Sequence, residues 1–339
     1  MTQTDDNIFV SPEERPKRRY AVKTGHANRY DIPDPVTGKD RLWTRATTLC
    51  KVLQDSYHLD MWERRVIVKG MGLRHDLAML AANLDVTKDK EKLQDIAAKA
   101  KDTAGGNIGS NMGTAFHDYA QRMDSGEDMS KERMSPRTRR TLEAYKREMQ
   151  DNDVEVLPDL MERVVCVYDL GICGRLDRVL TSKWWNAPRI GDVKSQKTLD
   201  FGYLSVAMQL AIYTRADYMY NEDTGEWEAA PETDLFKGMV MHTPIQGDQD
   251  FCELHEIDLD KGWTCVKLAT TIRSWRKQGK EMGRRYVNDF AWRTRILAAE
   301  SIDDLSAVWK DANAVGEWTT SLEELGMFKR EQLREEMGR

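Results

Sequence analysis

Asp177, Asp192 and Lys194 are the residues of this 339-residue chain whose types and spacing could do chemistry. Asp177 falls in the strand-like run CGRLDRVL, and a second apolar run, IGDVKS, ends in an Asp-x-Lys made by Asp192 and Lys194. Residues two apart in a strand project to the same side, so these two face together; an Asp-Lys dipeptide would send one group to the opposite face. Carboxylates are hard donors suited to Mg2+ or Mn2+. A cation held between them polarises a phosphate oxygen and lowers the pKa of a bound water. A neighbouring ammonium offsets the charge of the transition state. That is the chemistry of phosphodiester hydrolysis. Asp-x-Lys alone is common and reads first as an exposed, salt-bridging strand. Here the charged pair sits in an otherwise apolar run, where it needs a reason. Gln209 and Tyr213 follow four residues apart, on one face of a helix. His117 precedes in GTAFHDYAQRM; a lone helical histidine reads first as structural, and the downstream carboxylates make it a candidate ligand.

The elements that must position these groups can be read in order. Residues 1–20 form a polar arm with a capping-box signature at Ser11–Glu14 and a basic Arg15–Arg19, either a solvated tail or an arm touching DNA or a partner. RRYAV, RYDIP and RLWTRATTL read as short strands or a hairpin leading into a helix. Thr47 to Lys101 carries apolar residues at helical spacing and reads as a helical cap shaping substrate access, with His58 and His75 as surface or packing residues. Gly105, Gly106, Gly109 and Gly113 do not form a phosphate-cradling loop, because there is no GxxxxGK[ST] and no preceding strand. They read as a joint into a helix starting near Met112. Ser135 to Met149 opens with a Ser-Pro helix start. VEVLPDLMERVVCVYDLGICGRLDRVL reads as two strands joined at Asp169-Leu170-Gly171, with RIGDVKS as a third. A helix over Leu204–Tyr220, a polar loop NEDTGEWEAAPETD, strands LFKGMVMHT and DFCELHEIDL, and a helix over Lys261–Tyr286 complete one α/β layer, helices on a mixed sheet. The tail from Ala298 reads as two short helices broken at Gly316.

Composition sets bounds. Apolar residues are 40%, charged residues 32% and the mean hydropathy is −0.67, as expected of a soluble, helix-rich protein. No apolar run approaches the roughly 18–20 residues of a membrane span, and the N-terminus lacks a signal-peptide pattern, so a cytoplasmic location is expected. The net charge of −6 argues against a nucleic-acid coat, though not against a basic groove around an acidic site. Candidates for such contacts are Arg137 and Arg140, and Arg273, Lys277, Lys280 and Arg284, the last four at steps of three or four. An ordinary wet face is the competing reading. Five scattered cysteines with no CxxC suggest neither a disulfide framework nor a zinc ribbon.

Taken together, GTAFHDYA, Glu162 before VV, GRLDRV, GDVKS and QLAIY resemble the RecB-like branch of the PD-(D/E)xK nuclease superfamily, over roughly Gly105 to Tyr286. The resemblance implies a restriction-endonuclease-like α/β core, a mixed sheet flanked by helices, at 105–290, with helical additions at 1–104 and 291–339. It implies metal ligation by His117, Asp177, Asp192 and the Val193 carbonyl, with Glu162 as an accessory acid. Lys194 would assist the water, while Gln209 and Tyr213 would position DNA and site. The layout is also similar to exonuclease-like proteins of actinobacterial phages. Many relatives carry a late cysteine group for an iron–sulfur cluster; Cys252 and Cys265, thirteen apart, do not supply one, so no cluster is expected. The implied activity is a Mg2+- or Mn2+-dependent DNA exonuclease in phage replication or recombination, in the host bacterial cytoplasm. A structure-specific endonuclease on the same site and a retired DNA-binding fold are the alternatives. DNA, a helicase or a single-strand annealing or binding protein, and further copies of the chain are the expected partners, with no membrane.

Overall fold

A computed structural model describes residues 19–25, 29–245, 250–283 and 288–337. Strands β1 (Lys23–Gly25), β2 (Arg29–Pro33) and β3 (Asp40–Arg45) form an antiparallel run, and β3 leads directly into α1 (Ala46–Cys50) as expected; residues 19–22 of RRYAV are not a strand, and β1 follows them and includes Gly25. The β2–β3 turn is closed by Asp34, whose Oδ1 accepts the Val36 and Thr37 amides. Helices α2 (Tyr57–Leu73), α3 (His75–Ala82) and α4 (Lys90–Thr103) pack around Leu77, Ile96 and Ala100. Then come α5 (Ile108–Asp124), which starts four residues before Met112, and α6 (Pro136–Asp151). Ser135 caps α6 by accepting the Thr138 amide, with Pro136 at the first helical position.

The stretch expected to hold two strands holds four: β4 (Val154–Val156), β5 (Val164–Val167), β6 (Ile172–Arg175) and β7 (Arg178–Ser182). Pro158, which has no amide to donate, opens a 3-10 turn that separates β4 from β5. A break at Leu176-Asp177 separates β6 from β7, so Asp177 sits between strands and not within one. β8 (Arg189–Lys194) and α7 (Tyr203–Tyr213) follow. The helix expected to reach Tyr220 stops at Tyr213, where Thr214 Oγ1 bonds to Thr233 Oγ1 and the Asp234 carbonyl. Tyr218-Met219-Tyr220 instead enters β9 (Tyr218–Asn221), paired with β5. The supposed polar loop contains β10 (Glu226–Ala229), folded back on β9 through a turn ending at Gly225, φ +80. β11 (Lys237–His242), β12 (Glu253–Asp258) and α8 (Leu259–Gln278) complete the series.

These strands make two mixed sheets, not one. The first runs β1-β2-β3-β6-β5-β9-β10 and the second β12-β11-β8-β7-β4, with β3 parallel to β6 and β11 parallel to β8. One face of the second sheet packs Val193, Met239 and Met241 against Phe116 of α5 and Leu142 and Tyr145 of α6. Its other face packs Ile190, Val240 and Ile257 against α7 and α8, where Val165 and Ile172 of the first sheet join the same core. The architecture is thus mixed α/β, with two sheets flanked by helices.

The chain divides into two compact units, Met1–Ser274 and Trp275–Arg339, the division falling within α8. The second unit contains α9 (Phe290–Ala298), α10 (Ile302–Ala314) and α11 (Thr320–Met337), one helix more than expected after residue 288. Ile296, Leu305, Val308 and Leu322 form its core, and the α10–α11 break does fall at Gly316, φ +67. Among the described residues, no helix is long and apolar enough to cross a membrane.

Candidate active site

The break between β6 and β7 opens one wall of a cavity of about 330 Å3, lined by His117, Glu162, Asp177, Asp192, Gln209 and Tyr213. Side chains separated by almost a hundred residues are thus brought together, and Lys194 reaches this group through an ion pair to Asp192. β7 lies antiparallel to β8, and Asp177 Oδ2 accepts the Val193 amide at 2.7 Å. His117 Nδ1 is 3.8 Å from the same oxygen. α5 can bring His117 this close because Gly113, one turn earlier, has no side chain. A Cβ there would lie 2.6 Å from Ser195 Oγ at the end of β8. Asp192 is 4% exposed, and the Asp-x-Lys pair faces α7, as strand alternation requires.

Asp177 is held from behind by Arg178, a fully buried guanidinium that pairs with Asp177 and donates from Nε to Asp124 Oδ2 at 2.7 Å. Tyr145 donates its hydroxyl to the same Asp124 oxygen at 3.0 Å. Burial pushes the Asp177 carboxyl up, but Arg178, His117, the Val193 amide and Lys194 together outweigh it, and the net direction is down. Burial likewise opposes the charge of Lys194, yet Asp192 and Asp177 raise its pKa above the ordinary value. Lys194 is therefore an ammonium suited to stabilising anionic charge, and it is poorly placed to act as a base.

Glu162 is the least comfortable member of the group. Its backbone is left-handed, φ 53, a conformation that costs a non-glycine residue about 1–2 kcal/mol. Two contacts hold it there: its amide donates to the Asp177 carbonyl (3.1 Å), and Arg175 Nη1 donates to its own carbonyl (2.5 Å). Arg175 is fixed in turn by a two-point pair with buried Glu222, at 2.7 and 2.8 Å. Loss of hydration and the adjacent Asp177 charge push the Glu162 carboxyl up to about 7. Strain and an unfavourable charge are both concentrated on this one acid.

On α7, Gln209 Nε2 donates to the Tyr213 hydroxyl at 3.1 Å. The Tyr213 ring lies directly on β6 at Gly174, where a Cβ would come within 2.3 Å of the ring. Burial lifts the phenol well above its ordinary pKa, so the hydroxyl stays a neutral donor.

The expected basic contacts are arranged differently. Arg140 donates to Asp250 at 2.5 Å and Arg137 lies 3.9 Å from the same carboxylate, so both head groups meet an acid. Arg273 and Lys277 are on α8, while Lys280 sits in the 3-10 turn Gly279–Glu281 that follows it. Arg284, like residues 1–18 of the polar arm, lies outside the described residues. The cavity acquires other cations instead, Arg45 and Arg175. Strand alternation offered no reason to single out Arg178, because it places Asp177 and Arg178 on opposite faces; the break between β6 and β7 removes that constraint. The structure also brings together a separate group that residue spacing alone does not single out. His242, Glu253 and His255 each offer a ligand atom, all within 4.8 Å of one another. The Glu-x-His alternation in CELHEID was its sequence signal.

No family model matches the chain, and no curated protein matches it.

Proposed function

We propose that this chain is a divalent-metal-dependent deoxyribonuclease of the RecB-like PD-(D/E)xK type, with a restriction-endonuclease-like core, acting as an exonuclease on DNA. The observation that carries the reading is the convergence of His117, Glu162, Asp177 and Asp192 on one cavity, with the Lys194 ammonium paired to Asp192. The donor set fits a hard cation. Three carboxylates and one imidazole crowd together, and Glu162 is held near pKa 7 partly by the Asp177 charge, a repulsion that a cation relieves.

In this reading His117, Asp177, Asp192 and the Val193 carbonyl would hold Mg2+ or Mn2+, with Glu162 as the accessory acid. The ion supplies Lewis acidity toward a phosphate oxygen and the attacking water. Arg178 and the Val193 amide fix the rotamer of Asp177, so the ligand is preorganised. Lys194 offsets the charge that builds on the phosphorus oxygens. The neutral Tyr213 hydroxyl, ordered by Gln209, donates to the DNA backbone, and Arg45 at the cavity wall draws phosphate to it. A helicase or single-strand annealing protein would supply the unwound or paired end.

Degradation of end-labelled linear DNA beside a covalently closed circle, with Mg2+, Mn2+ or EDTA, tests the proposal. Loss of the linear form alone, only with metal, and silence of Lys194→Ala are expected. Cutting of the circle would make the chain an endonuclease on the same site. DNA binding without cutting under any metal would leave a retired fold.

A further inference from the structure

We propose that His242, Glu253 and His255 form a second metal site, distinct from the carboxylate cavity, that takes a zinc-class divalent ion. β11 and β12 pair antiparallel with His242 directly opposite Glu253, and His255 stands one pleat further along β12. Residues opposite each other and residues two apart share a face, so all three side chains project to one side of this hairpin. Their ligand atoms lie within 4.8 Å of one another, and His255 Nε2 is already 3.4 Å from Glu253 Oε2. Zinc bonds of about 2.0–2.2 Å in tetrahedral geometry hold donors roughly 3.5 Å apart, within reach of small side-chain rotations.

Each histidine already has the outer partner that a metal ligand requires. His242 Nε2 lies 2.9 Å from the Gln196 carbonyl, which can only accept, so that nitrogen carries the proton and Nδ1 keeps its lone pair. His255 Nδ1 lies 3.0 Å from the Tyr203 hydroxyl. Its Nε2 is buried and takes no hydrogen bond, an orphaned polar atom beside a carboxylate and a second imidazole. One ring nitrogen bound to an outer oxygen and the other directed at the ion is the arrangement that orients metal-bound histidines. Two imidazoles and one carboxylate favour zinc over magnesium, while the carboxylate-rich cavity favours the reverse. Three protein ligands leave a fourth position to water.

His242 is the register partner of Lys194 on β8, so this site and the Asp-x-Lys pair share one face of the sheet. The ion would clamp β12, the edge strand, to β11. The inference does not depend on the nuclease reading, because none of its ligands belongs to the cavity.

The full chain, stripped with chelator, is titrated with Zn2+ by calorimetry in millimolar Mg2+, and with Co2+ by visible absorption. One tight zinc equivalent is expected, with cobalt bands of a tetrahedral nitrogen–oxygen site. Glu253→Gln and His255→Gln should each lose it, Asp192→Asn should keep it, and Tyr203→Phe should weaken it about tenfold. Circular dichroism checks the fold of each variant; Glu253 is exposed, so its replacement is the one least exposed to folding failure. Absence of a tight equivalent in the unaltered chain overturns the proposal. So does an equivalent that survives both Glu253→Gln and His255→Gln, or that vanishes with Asp192→Asn alone.

Discussion

Replacing Arg178 with Met deletes a buried cation while keeping most of its volume, and strands the two carboxylates it serves. The guanidinium is fully buried and makes charge-assisted contacts to Asp124 and Asp177. Removing one partner of a buried ion pair costs about 3–5 kcal/mol. Protonation limits this cost. Burial already pushes the Asp124 carboxyl up in spite of Arg178, and without the guanidinium Asp124 folds protonated. Carrying a carboxyl of ordinary pKa 3.8 into the fold as the neutral acid costs about 4 kcal/mol at pH 7. The sign follows directly. A folded-state pKa raised above the unfolded one means that the variant loses stability as pH rises, so its deficit should shrink between pH 7 and pH 5, by less than about 2.7 kcal/mol because Asp124 is also raised in the parent. Urea unfolding at both pH values reads this as a midpoint shift of about 1 M or more at pH 7. The double variant Arg178→Met/Asp124→Leu removes one stranded acid and should recover at least about 2 kcal/mol. A single variant within about 1 kcal/mol of the parent at pH 7 would refute the assignment of Arg178 as the buried partner of Asp124 and Asp177, and a deficit unchanged at pH 5 would refute its pairing with Asp124.

Two further predictions test the surroundings. Gly174→Ala drives a Cβ to 2.3 Å from the Tyr213 ring and 2.9 Å from Ala46 Cβ, so overpacking of about 1–3 kcal/mol is expected, with cleavage falling in parallel; adding Tyr213→Leu should recover part of the stability and leave the cleavage low, and an unchanged melting temperature in the single variant would contradict this packing. Asp34 is held at about 2 because Arg41 and the Thr37 and Val36 amides outweigh its burial. Its folded pKa is depressed, so its contribution is complete above about 4 and lost as pH falls toward 2. Arg41→Met should therefore show a deficit at pH 7 that narrows toward pH 2.5, apart from the fixed loss of stacking on Trp43, where the guanidinium lies 3.9 Å from the ring; a pH-independent deficit would remove Arg41 from the account.

The local elements were legible wherever one signal dominated. Ser135-Pro136 started α6, alternation put Asp192 and Lys194 on one side, and a four-residue step put Gln209 in reach of Tyr213. Where a non-local pairing decided the outcome, periodicity misled. The alanine- and leucine-rich run that ends at Tyr213 reads on as a helix into the residues after it, but Tyr218–Tyr220 is taken by β5, whose open edge no local window can see. The same holds for Glu226–Ala229, a polar loop until Trp227 finds Trp43 and Tyr220.

Residue types and spacing by themselves determined which groups could do chemistry: two aspartates, a lysine two residues on, a helical glutamine–tyrosine pair and one histidine. That is possible because strand and helix periods are properties of the backbone. Only the tertiary structure decided how these groups are held. The two-sheet arrangement, with its strand break at Leu176-Asp177, turns Asp177 toward Val193 and Arg178 and strains Glu162 against it. Further along the same face of the second sheet, His242 meets Glu253 and His255 through strand register alone. Register and burial depend on contacts between distant residues, and a charge acquires its partner and its pKa only when those contacts close.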